Sequence, residues 1–218
     1  MVEKVEASGV LIRHAAPRLV LYGLVVASPY VVGAFAGGEE ADNGLVFAAG
    51  LNAALVAYVI IAMQFVLTAH YRWVERPPGY AKVIVFHKTM GATAGLLLLS
   101  HPTGMAIGAA GLDLFTGGPF FVWVGKVTLL LLLAHVTIAL FRKSLGLDYQ
   151  KWLAIHNPTA ALILCFGFYH SWNTEADLAP VAVRVLWALI FAVAVVSYFH
   201  GRIVVGLRRR RAARPVAA

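Results

Sequence analysis

Two pairs of histidines pose the chemical question. "FHKTMGATAGLLLLSHP", residues 86–102, places His87 and His101 at the ends of an apolar run, and "LDYQKWLAIHNPTAALILCFGFYHSW", residues 147–172, repeats the fourteen-position spacing with His156 and His170. At about 100° per residue, fourteen steps fall roughly 40° short of four turns, so each pair lies on one helix face with its members roughly 21 Å apart along the axis. Four neutral imidazoles in two facing pairs suit two bis-histidine irons in non-covalent haem, where the porphyrin brings the chemistry and the protein supplies ligands and dielectric. One tetrahedral zinc fits less well. Its ligands converge within about 2.0 to 2.1 Å of the metal, which histidines so far apart on one helix cannot do. A lone intramembrane histidine reads as a hydrogen bond across helices. Two equal spacings at matched depth go beyond that reading, because ionisable groups in lipid cost several kcal/mol unless paired or functional.

The elements that must position them are membrane spans. Of the 218 residues 61% are hydrophobic and 13% charged, and mean hydropathy is +0.79, a balance rare in a soluble domain. A span needs about 20 mostly apolar residues, and apolar runs stand at 19–36, 45–69, 83–101, 120–141, 153–171 and 181–205. The predicted fold is all-α, a six-helix transmembrane bundle with two haems between the third and fifth helices. A segment 1–18 precedes the bundle of 19–205, and a basic tail, 206–218, follows it. Six spans put both termini on one side, with "HYRWVERPPGYAK" and "FRKSLGLDYQK"; of the 18 Lys and Arg, only Lys126 and Arg184 fall near the other face. That face carries Glu39, Glu40, Asp42, Asp113, Glu175 and Asp177. Positive charge gathers on the cytoplasmic side, so both termini are expected in the cytoplasm, with the chain in the plasma membrane. The formal charge of +8 then reflects topology and anionic lipid, with no nucleic-acid partner.

The third and fifth segments run in the same direction. His87 and His156 therefore meet near the cytoplasmic side, and His101 and His170 near the outer side. Between the histidines, the shared faces carry Gly91, Ala94 and Leu98 on one helix and Ala160, Ile163 and Gly167 on the other; small residues leave room for a flat macrocycle or for close helix contact. The single cysteine, Cys165, excludes a disulfide framework and a cysteine-built metal cluster, and no C-x-x-C-H, dinucleotide fingerprint or phosphate loop is present. The first run has a basic lead-in and Ala34-Phe35-Ala36 before an acidic stretch, as signal peptides do. The length of that lead-in and Pro29 argue for an uncleaved first helix.

These residues resemble the ferric reductase-like transmembrane domain shared by ferric reductases, NADPH oxidases and the haem subunit of the methionine sulfoxide reductase system. The resemblance runs over about residues 45–172 and is most specific in the two histidine stretches, in the Tyr149, Trp152, His156 spacing and in Gly125. It implies two b haems on the third and fifth helices, the inner held by His87 and His156 and the outer by His101 and His170. It also implies one-electron transfer from a cytoplasmic flavin to an acceptor at the outer face: ferric iron, oxygen or a periplasmic redox protein. Larger members continue into a flavin and nicotinamide domain, whereas this sequence stops at "RRRRAARPVAA". The flavin is accordingly expected on a separate flavoprotein or loosely bound, and the chain is expected to be an oxidoreductase component.

Haem propionates need cationic or hydrogen-bonding partners in lipid. Candidates are Arg72, Lys88, Arg142 and Lys151 on the inner side and Lys126, Arg184 and Asn173 on the outer. Trp123 and Trp172 read as interfacial anchors. His14, His70, His135 and His200 lack a partner spacing and read as satisfied or interfacial, although His135 falls mid-membrane. Two other functions compete: a non-catalytic membrane anchor or assembly subunit, and a proton channel or transporter relaying through the histidines.

Overall fold

In lipid every backbone N–H and C=O must be satisfied within its own segment, so the apolar runs fold as helices. The computed structural model describes residues 2–35, 44–76, 79–111, 116–174 and 178–212. They form α1 (Val2–Phe35), α2 (Gly44–Thr68), α3 (Tyr80–Met105), α4 (Phe120–Phe141), α5 (Tyr149–Asn173) and α6 (Val181–Ala212). A single helical turn, Arg72–Glu75, lies between α2 and α3, and α3 runs on into a wider π turn, Ala106–Ala110. Among the described residues, six helices are long and apolar enough to cross a membrane. The acidic residues of the expected outer face lie outside the described residues.

Several helices exceed their apolar runs, because backbone hydrogen bonding continues after hydrophobicity stops. α1 begins at Val2, with Pro17 and Pro29 inside it. α5 starts at Tyr149, where Asp148 caps it by accepting the Lys151 amide hydrogen at 2.8 Å. α3 passes His101 and Pro102 to Met105. Gly146, at φ 63°, reverses the chain between α4 and α5, in the left-handed conformation that glycine adopts without a steric cost.

α2 is the centre of the bundle and packs against α3 and α6. Its residues Ala57, Val59 and Ala62 are buried with Ala94 of α3, Leu164 of α5 and Trp187 of α6. Tyr58 of α2 stacks on Trp187 at 4.7 Å between ring centres. At the end that carries His101, α2 and α3 touch through glycine: a Cβ on Gly104 would lie 2.8 Å from the Gly50 Cα. α4 and α5 form a second pair that closes the bundle, α4 against α3 and α5 against α2. The backbones of α3 and α5 barely approach each other. Leu24, Leu96, Leu130 and Phe199 point outward, where only a lipid solvent would suit them.

Candidate histidine sites

Across the gap between α3 and α5 the four histidines meet in two pairs. The rings of His87 and His156 have centres 6.3 Å apart and planes at 68°; those of His101 and His170 are 6.4 Å apart at 67°. The equal spacing along each helix and the common helix direction thus produce two sites of one geometry. Each consists of two imidazoles, and among the described residues no group of three or more metal-ligating side chains converges.

The pair expected on the outer side, His101 and His170, is anchored by backbone carbonyls. His170 Nδ1 lies 2.8 Å from the Phe121 oxygen of α4, and His101 Nδ1 lies 3.2 Å from the Gly50 oxygen of α2. A carbonyl only accepts, so Nδ1 carries the proton in both rings and Nε2 keeps its lone pair. Glycine makes the first contact attainable: a Cβ on Gly125 would lie 2.6 Å from His170 Cε1 and 2.7 Å from its Nδ1. Behind His170, its neighbour Ser171 accepts the Trp187 indole hydrogen at 2.8 Å.

The inner pair is held differently. The Nδ1 atoms of His87 and His156 are buried and have no hydrogen-bond partner among the described residues. Two rings pack against His156 at a tilt, Trp152 at 4.5 Å and 30° and His135 at 4.2 Å and 31°. Arg142 reaches over the Trp152 ring at 5.8 Å. His135, Trp152 and His156 line one crevice between α4 and α5, with Leu131, Ile155 and Thr159.

His135 is the residue the sequence reading missed. It carries no spacing signal, and only the rotation of α4 brings it onto His156. The small residues divide in use: Gly167 receives the Tyr58 ring, with a Cβ there 3.2 Å from Tyr58 Cδ2, whereas a Cβ on Gly91 would meet nothing within 4 Å. His70 and His200 are satisfied, the first 2.7 Å from Glu75 and the second 3.0 Å from the Ala69 oxygen. The His14 side chain lies outside the described residues.

The cationic candidates separate as well. Arg142 lies over the Trp152 ring, which in turn lies beside His156. Lys151 is exposed and 3.3 Å from Asp148, and Arg72 and Lys88 are exposed. On the outer side Lys126 donates to the Gly117 oxygen at 2.7 Å and lies over Trp123. Arg184 donates to the Leu178 oxygen at 2.8 Å and lies over Trp172, while Asn173 donates to the Tyr169 oxygen within its own helix.

The described residues are all-helical, with six helices long and apolar enough to cross a membrane, the architecture of a multi-pass membrane protein. The family model described as ferric reductase like transmembrane component matches residues 53–168, more than half of the chain, and the chain belongs to that family. The matched stretch includes His87, His101 and His156 and ends two residues before His170. No curated protein and no solved structure matches the chain.

Proposed function

We propose that the chain is a transmembrane b-type dihaem cytochrome that carries electrons singly from a cytoplasmic flavoprotein to an acceptor at the outer face. The observation that carries this reading is the ring separation. Two imidazoles that shared one metal between them would have ring centres about 6.2 to 6.4 Å apart, twice the sum of a metal–nitrogen bond of about 2.0 to 2.1 Å and the roughly 1.1 Å from nitrogen to ring centre. Both pairs stand at that distance.

His87 and His156 would hold the inner haem and His101 and His170 the outer one. When bound, haem supplies a centre that takes up and releases one electron. The protein's part is positional. α3 and α5 present the imidazoles at fixed depth, α2 and α4 orient the outer rings through carbonyls, and the surrounding apolar side chains exclude water. His101 and His170 would both be taken up in holding the outer haem, and the outer face would serve an acceptor such as ferric iron, oxygen or a periplasmic redox protein. The basic end would face the cytoplasm of a plasma-membrane protein, where Arg72, Lys88, Arg142 and Lys151 are the candidate propionate partners. Flavin would come with the donor or bind loosely at that end.

The test is a dithionite-reduced minus oxidised absorption spectrum of the detergent-purified full chain with a haem-to-protein ratio. About two b haems per chain are expected from two bis-histidine sites. Folded protein without haem, expressed with ample haem supply, would discard the reading.

A further inference from the structure

The two pairs share their ring geometry and differ in what stands behind the rings. We propose that Gly50 and Gly125 are positioning residues that give the outer histidines their carbonyl hydrogen bonds, and that the outer iron consequently has the lower reduction potential. The inference rests on the dihaem reading.

Gly125 lies one helical turn after Phe121, so the carbonyl that accepts His170 Nδ1–H and the glycine against which the ring rests belong to one face of α4. Any side chain at 125 would occupy the imidazole's place: the nearest atoms to a Cβ there are three atoms of the His170 ring, at 2.6 to 2.9 Å. On the other side Gly50 is both the acceptor for His101 and a point of close contact between α2 and α3. A Cβ on it would lie 3.0 Å from the Gly104 Cα and 3.1 Å from the His101 oxygen. Two helices that themselves supply no ligand are thus brought within hydrogen-bonding reach of the two that do.

A carbonyl that accepts the Nδ1 hydrogen draws the proton away from the ring and makes Nε2 a stronger donor to a metal. Stronger donation favours the more highly charged, oxidised iron and lowers its potential. His87 and His156 have no such acceptor among the described residues. Outward electron transfer then runs against the intrinsic order of the two sites. A membrane potential that is negative inside favours that movement of negative charge.

Spectropotentiometric titration of the full chain in detergent tests the order. Two components are expected, and His101→Leu should remove the one of lower potential. Gly125→Ala should shift that same component upward and leave the other in place. Loss of the higher component in His101→Leu, or a Gly125→Ala variant that moves the higher component or neither, overturns the proposal. If Gly125→Ala loses the outer haem altogether, the order is read from the parent chain against His101→Leu. A chain that binds no haem fails the dihaem reading itself, whereas two haems in the reverse order fail only this inference.

Discussion

The outer and inner histidine pairs are alike in ring distance and angle and unlike in their supports. Hydrogen bonds to carbonyls of α2 and α4 hold the outer rings, and tilted ring contacts with Trp152 and His135 flank His156 in the inner pair. A hydrogen bond fixes both tautomer and ring rotation, whereas a stack fixes the ring plane and leaves the nitrogens free to choose their protonation. One ligand geometry repeated along two helices can therefore give two sites of different character. The repeat belongs to α3 and α5, and the difference belongs to their neighbours.

The most damaging change to that comparison is removal of a ligand. Under the dihaem proposal His101→Leu should abolish the outer haem and spare much of the inner signal, as read by haem stoichiometry and the reduced-minus-oxidised spectrum. Unchanged stoichiometry in that variant would sink the ligand assignment.

Trp187 comes next. It is fully buried, stacks on Tyr58 and donates to Ser171, so Trp187→Ala removes a large core side chain at a cost of about 3 to 5 kcal/mol. Thermal or denaturant unfolding in detergent measures that loss. Because Ser171 adjoins His170, the residual haem signal should be disturbed more in the outer component than in the inner.

His135 sharpens the other side. His135→Phe keeps a flat ring against His156, whereas His135→Ala removes it. Electron paramagnetic resonance of the oxidised protein should show the inner component shifted by Ala and retained by Phe. Equal shifts in both variants would instead make the imidazole nitrogens, rather than the stack, the operative feature.

The smallest effect is expected at Asp148, which caps the helix carrying His156. The Lys151 amide hydrogen bond, helped by the Lys151 ammonium, holds its carboxyl below the usual carboxylate range. A depressed carboxyl contributes stability that is fully present above its unfolded pKa and is lost as pH falls through the folded one. The parent chain should lose a small increment of stability on acidification below the ordinary carboxylate range, and Asp148→Asn should lack that increment. Exposure of the cap to solvent keeps it slight. The readout is unfolding followed across acidic pH, and identical profiles for the two proteins would remove Asp148 from the account.

Much of this was legible in the residues. Apolar runs of sufficient length have one structural solution in lipid, so six helices followed from composition. The paired spacing fell on single faces because the helical period is a local property. Boundaries were less legible: α1 begins at Val2 and α5 at Tyr149 because backbone hydrogen bonds and the Asp148 cap, not apolarity, decide where a helix starts. Gly125 was recognisable as part of the family's pattern, but its role against His170 was not.

What the sequence determined by itself was therefore periodic: the spans, the direction of α3 and α5, and the depth at which His87 meets His156 and His101 meets His170. Only the tertiary structure decided how each helix turns toward its neighbours. His135 meets His156 through the rotation of α4, and the Gly50 and Phe121 carbonyls reach their imidazoles through the close packing of α2 and α4. Every residue has a carbonyl, so a chain of letters cannot mark which of them will stand behind a ring; that depends on interhelical distance, which the glycines permit and the assembled bundle sets.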